Sequence, residues 1–96
     1  MREIGTRVGA VMSADDNEVR FFGYGTYDGD EIPPPGVKMM GIEMHELGVA
    51  SPKITLDSGK AVFGCECWWG DEARVKKMIG DRRIVEVDIE EARHAA

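Results

Sequence analysis

Apolar and polar residues alternate with a period of two along much of this chain, and that period marks half-buried β-strands. Thr6 to Ser13 alternates loosely, with Val8, Ala10 and Met12 on one side. The polar run Asp15-Asp16-Asn17 reads as a turn. Glu18 to Tyr27 then predicts a second strand, with Val19, Phe21 and Tyr27 on one face and Phe22 and Tyr24 on the other. Gly23 and Gly25 interrupt it, and glycine inside a strand signals a bulge, a bend or a close backbone approach. Lys53 to Leu56 and Lys60 to Trp68 flank Asp57-Ser58-Gly59, which predicts a second hairpin with glycine supplying the positive φ of its turn. Asp71 can cap a following helix, on which Val75, Met78 and Ile79 share a stripe and which Gly80 ends. Arg83 to Ile89 closes the pattern as a strand, with Val85, Val87 and Ile89 on one side.

Between the hairpins the period is lost. Residues 28–52 hold Gly29, Gly36, Gly41 and Gly48 and the run Pro33-Pro34-Pro35, so this excursion is expected to be the least regular part of the fold. Val37 to Leu47 can form a short helix with Gly48 just past its end. Its methionines either cover the core or mark a partner surface. The element order predicts one mainly β (α+β) domain over residues 1–96, ending in a charged tail at 90–96. The expected form is a small five-stranded antiparallel barrel of SH3-like type, with one short helix before the last strand. The alternative is an open antiparallel sheet with a helix on one face.

Charge narrows the partners. The 96 residues carry a net charge of −6, and residues 1–50 hold 4 basic and 9 acidic side chains against 8 and 9 in the rest. Such a balance disfavours nucleic acid, whose phosphates require a basic face. No apolar run has the ~18 residues of a membrane span, so no membrane role is expected. Two cysteines without an export signal predict a cytoplasmic protein. A domain this small often draws stability from association, which keeps a homo-oligomer in view.

Candidate chemistry is sparse. Cys65-Glu66-Cys67 has one residue between thiols, where structural zinc sites use two to four. Read as strand, Ala61, Phe63, Cys65, Cys67 and Trp69 share an apolar face, so both cysteines are expected to be reduced, inward-facing and metal-free. His45 and His94 are not placed by sequence near a thiol, and no catalytic set is identified. Gly23-Tyr24-Gly25 lacks the helix and lysine of a phosphate loop. Asp28, Asp30 and Glu31 lack the ligand pattern of a calcium loop. Arg74, Lys76, Lys77, Arg82 and Arg83 form a basic cluster that offsets a helix dipole or contacts an anion. No cofactor is expected.

The same alternation turns Val62, Gly64, Glu66 and Trp68 outward. An outward tryptophan is costly to leave in water, so either the chain covers it or a ligand does. The candidate binding site is therefore Trp68, Glu66 and Tyr24, with Gly64 as a flat spot beside the indole. The stretch Leu56-Asp57-Ser58-Gly59-Lys60, the run Gly64-Cys65-Glu66-Cys67-Trp68-Trp69-Gly70 and Met78-Ile79-Gly80-Asp81-Arg82 resemble a group of small uncharacterised bacterial and phage proteins. The opening segment Arg7-Val8-Gly9 to Tyr24-Gly25 is similar too. The resemblance implies a prokaryotic or phage setting and no assigned activity. The expected function is a non-enzymatic binding module that blocks or sequesters a host protein, or a small planar ligand such as a nucleotide. The alternative is an assembly protein that self-associates through Pro33 to Ala50.

Overall fold

The computed structural model describes residues 2–95. Strand β1 (Arg7–Ala14) pairs antiparallel with β2 (Glu18–Glu31) around the expected turn. There the Asp15 carboxylate accepts the backbone N–H groups of Asn17 and Glu18 at 2.8 and 2.9 Å. These bonds hold the Asp15 carboxyl below its ordinary range.

The long β2 is the spine of the sheet. Its C-terminal part pairs antiparallel with β5 (Ser51–Leu56), which forms the second hairpin with β6 (Ala61–Phe63). Its first four residues pair in parallel with β8 (Arg83–Glu86). On the other side, β1 pairs antiparallel with β7 (Trp68–Asp71), giving the order β6-β5-β2-β1-β7. Helix α2 (Glu72–Ile79) joins β7 to β8. Those strands run parallel, so the connection must cross over the sheet, and the helix buries Val75 and Ile79 as it does so.

The sheet is mainly antiparallel and open, which corrects the five-stranded barrel and matches the alternative of an open sheet with a helix on one face. Closure fails for two reasons. The outermost strands β6 and β7 take different partners, separated by a 3-10 turn at Gly64–Glu66. The last strand follows the crossover back to β2, and so cannot bridge the two edges.

Glycines set the shape of the spine. Ala10 pairs with Gly23 and Val11 with Phe21, which leaves Phe22 as an extra residue in a bulge, with Gly23 at φ 138°. The bulge corrects the expected facing of the aromatics. Tyr24 stays with Val19, Phe21, Val75 and Ile79 beneath α2, its ring 4.7 Å from that of Phe21. Phe22 goes to the opposite face, with Val8, Ala10, Tyr27, Ile54 and Val62. Gly25 answers to a close approach: a Cβ there would lie 2.3 Å from the Thr55 carbonyl oxygen.

The irregular stretch expected at 28–52 is shorter, because β2 continues through Glu31 and β5 begins at Ser51; the excursion covers residues 32–50 and has no long element. It holds a miniature hairpin of β3 (Lys38–Met39) and β4 (Ile42–Glu43) and a single-turn α1 (Met44–Leu47) ended by Gly48 at φ 66°. Val37 and Met44 pack with Phe63 as a small separate cluster. The tail forms α3 (Ile89–Ala95), whose Ile89 is buried against the main core. No described helix is long and apolar enough to cross a membrane.

Candidate functional site

The segment read as a continuous strand from Lys60 to Trp68 is broken. After Phe63 the 3-10 turn shifts the parity, so Cys65 and Cys67 do not share a face. Cys65 packs against the Val37–Met44–Phe63 cluster, whereas Cys67 packs against the main core. Burial pushes the Cys67 thiol up to about 12, with the Glu66 and Cys65 charges adding to the effect. Its S–H donates weakly to the Phe63 carbonyl at 3.5 Å. A thiol so raised is a poor nucleophile. No group of three or more His, Cys, Asp or Glu among the described residues is placed to hold a metal.

The three proposed binding residues are not brought together. Glu66 turns inward: its carboxylate takes a bidentate pair from Arg93 on α3, both contacts at 2.7 Å, and accepts the Phe63 N–H at 3.0 Å. With 7% of its side chain exposed, it is a clamp between the 3-10 turn and the tail helix. Tyr24 is half-buried, with the Lys76 ammonium 5.4 Å from its ring centre. It lies on β2, across β1 from the strand that carries Trp68. It also lines a cleft of about 650 Å³ where β5 and β8 diverge from β2. Two of that cleft's acidic groups are already engaged, Asp57 by Arg7 at 2.7 and 2.8 Å and Asp88 by Lys60. Gly64 is no flat spot beside Trp68, because it packs against the Trp69 indole and Pro52.

Trp68 is 47% exposed. It pairs with Val11 on the outermost strand β7 and borders a hollow of about 240 Å³ lined also by Met12, Ala14 and Met78. Sequence reasoning missed Met12 by placing it with Val8 and Ala10 in the core. The register shifts between Ala10 and Ser13 lift it to the surface, where it is 42% exposed. Met78 does pack with Val75 and Ile79 as the stripe predicts, but it is only half-buried, and its outer part lines this hollow, which sequence reasoning missed. The signal available was the stripe's width, since Met78 lies at the margin of the arc set by those two.

Met12 also borders a second hollow, of about 380 Å³, with Phe22, Met39 and Met40. The two hollows meet at Met12, so the apolar band they form wraps from the α2 face at Trp68 around the end of β1 to the opposite face, where Lys38, Glu66 and Arg93 join the methionines in its lining. Met40 at the tip of that hairpin is 95% exposed and sits at φ 53°, a conformation that a non-glycine residue rarely adopts. No family model matches the chain, and neither a curated protein nor a solved structure is similar to it.

Proposed function

We propose that the protein is a small non-enzymatic binding module whose working surface is the apolar band centred on Trp68. The exposure of Trp68 beside Met12 and Met78, on a base of paired strands, carries this reading. Tryptophan dominates binding hot spots, and methionine lines surfaces that adapt to a partner. At Trp68 itself the lining favours a protein over a nucleotide: the hollow of about 240 Å³ is smaller than the roughly 300 to 1,000 Å³ of sites that enclose small ligands, and no charged side chain lines it to meet a phosphate. The resemblance to small bacterial and phage proteins supplies the setting, in which the module blocks or sequesters a host protein.

Photo-crosslinking from position 12 in the native host tests this. The expected result is a discrete adduct that Trp68→Ala abolishes while the protein stays folded. Adducts that persist in Trp68→Ala, or none at all, would remove the reading. Self-association is the second reading, favoured by the exposure of Ile42, Leu47 and Val49 on the excursion. It expects sedimentation to show a dimer that Ile42→Glu dissociates.

A further inference from the structure

Strand β1 outruns the strand that covers it. Its ladder with β7 ends where Val11 meets Trp68, and β1 continues through Met12, Ser13 and Ala14 to the Asp15 turn, with all three exposed. Main-chain groups along a strand point to alternate sides. The Asp15 N–H donates to the Glu18 carbonyl, so Asp15 and, two residues back, Ser13 turn their main-chain groups toward β2. The Ala14 N–H and C=O between them face the outer edge. The β7 ladder stops short of them, and among the described residues no turn or loop group takes its place.

This open edge has a hollow on each face of the sheet. Trp68 and Val11 lie on the face under α2, and so does Ala14, which pairs with the buried Val19. The small Ala14 side chain leaves the hollow of about 240 Å³ unfilled. On the opposite face Phe22, Met39 and Met40 border the hollow of about 380 Å³, and Met12 lines both. A docked helix presents its anchors along one stripe and cannot fill two hollows on opposite faces. An extended strand sends successive side chains to opposite faces and carries main-chain donors and acceptors that an open edge lacks.

We infer that a partner protein docks here by strand addition. An extended segment lies along Met12–Ala14 in line with β7, exchanges main-chain hydrogen bonds with Ala14, and seats neighbouring side chains in the two hollows. This mode rests on reading the Trp68 surface as the docking site, and it gives the form of the occupant. The side chain on the α2 face is apolar, because no charged group lines that hollow. Its neighbour tolerates a polar end, since Lys38, Glu66 and Arg93 join the methionines there. A second copy offering the same edge is a poor occupant, because it brings Met12 as its one large side chain where two hollows wait.

The test takes the strongest binder from a random heptapeptide library screened against the full chain and follows the Ala14 amide by NMR hydrogen exchange. That amide should exchange freely in the protein alone and roughly tenfold or more slowly with the peptide bound. Ala14→Pro removes the outward N–H without touching the β2 ladder, as edge positions allow, and should weaken binding roughly tenfold or more. N-methylation of alternate peptide amides should abolish binding from one set and spare it from the other. The exchange and N-methyl arms need no substitution in the protein, so they decide the question even where Ala14→Pro unfolds the hairpin. An Ala14 amide already protected in the protein alone would overturn strand addition. So would binding that neither slows its exchange nor responds to N-methylation; loss of that binding in Trp68→Ala would then leave the docking surface standing. A peptide whose binding survives Trp68→Ala, or a library without a binder, would remove the docking surface and strand addition with it. A concentration-dependent dimer that protects Ala14 without peptide would make the occupant a second copy and overturn the partner.

Discussion

Trp69 and Trp68 are neighbours in sequence on β7 and face opposite sides of the sheet. Trp69 is set into the fold: its ring stacks on Tyr27 at 5.6 Å, nearly parallel, with the Arg2 guanidinium 4.6 Å from its centre. Gly64 leaves room for its indole, since a Cβ there would come within 2.8 Å of Nε1. Trp68 has no aromatic partner among the described residues and keeps nearly half its surface in water. The difference shows what the fold needs from this strand and what it leaves over. One indole closes the core between the first hairpin and the N-terminal segment, and the other adds exposed apolar area that folding does not require.

The sharpest way to break this comparison is to truncate each indole in turn. Trp69→Ala should destabilise the domain by ~3 kcal/mol, the low end for a large aromatic because its ring is half-buried. Trp68→Ala should change stability by less than ~1 kcal/mol, as an exposed substitution does. Chemical denaturation of both variants measures the pair. Equal losses would show that Trp68 is a core residue and would remove the anchor of the docking surface.

Glu66 extends the contrast, because sequence placed it beside Trp68 as a ligand contact and the structure gives it to the core side. Glu66→Ala leaves the Arg93 guanidinium and the Phe63 N–H without their acceptor and should cost ~2–3 kcal/mol. Hydrogen exchange should show α3 loosening first. Faster exchange around Trp68 with α3 unchanged would contradict the clamp.

The hairpins were legible in the sequence because their signals are local. Asp57-Ser58-Gly59 and Asp15-Asp16-Asn17 carry their own turn chemistry, and Gly80 ends α2 as expected. What was not legible came from breaks in a period. Extending the alternation through Gly64 put Glu66 with Trp68 and the two cysteines together, whereas the 3-10 turn separates both pairs. The bulge at Phe22 and Gly23 likewise parted Phe22 from Tyr24, and the shifts after Ala10 brought Met12 out. A one-residue slip exchanges the faces of everything beyond it. Barrel closure was a long-range matter, decided by which strand a crossover helix returns to.

Acid should separate the two regions without any substitution. Asp57 and Asp88 are held below the ordinary carboxyl range, first by the Arg7 and Lys60 hydrogen bonds respectively, and Asp15 by its turn N–H groups. A carboxyl whose folded value is depressed contributes fully above its unfolded value, near ~4, and loses that contribution as pH falls through the folded value. All three groups sit at chain reversals bordering the sheet, and none lies on the excursion. Stability should therefore fall below about pH 4, with amide exchange rising first at the turns of both hairpins and at the start of α3. Earlier loosening of residues 32–50 would reverse the order.

The smallest expected effect concerns Met40, where the excursion gives up stability for surface. Met39 pairs with Ile42, so Met40 and Gly41 form a two-residue turn, and both have positive φ, 53° and 81°. Hairpin turns of that type favour asparagine followed by glycine, because asparagine tolerates the left-handed region that methionine resists. Nothing in the fold rewards the methionine, whose side chain is almost wholly in water. Met40→Asn should therefore stabilise the protein by ~0.5–1 kcal/mol, a part of the ~1–3 kcal/mol of strain that a non-glycine residue bears there. On the docking reading the same change removes an apolar contact and weakens partner binding. Thermal unfolding and the yield of crosslinked adduct from position 12, measured on one preparation, separate the two effects. A more stable protein that binds as well as before would detach Met40 from the working surface and confine that surface to Trp68, Met12 and Met78. A less stable protein would mean that the tip methionine packs in solution, and the excursion would then belong with the core side of the comparison.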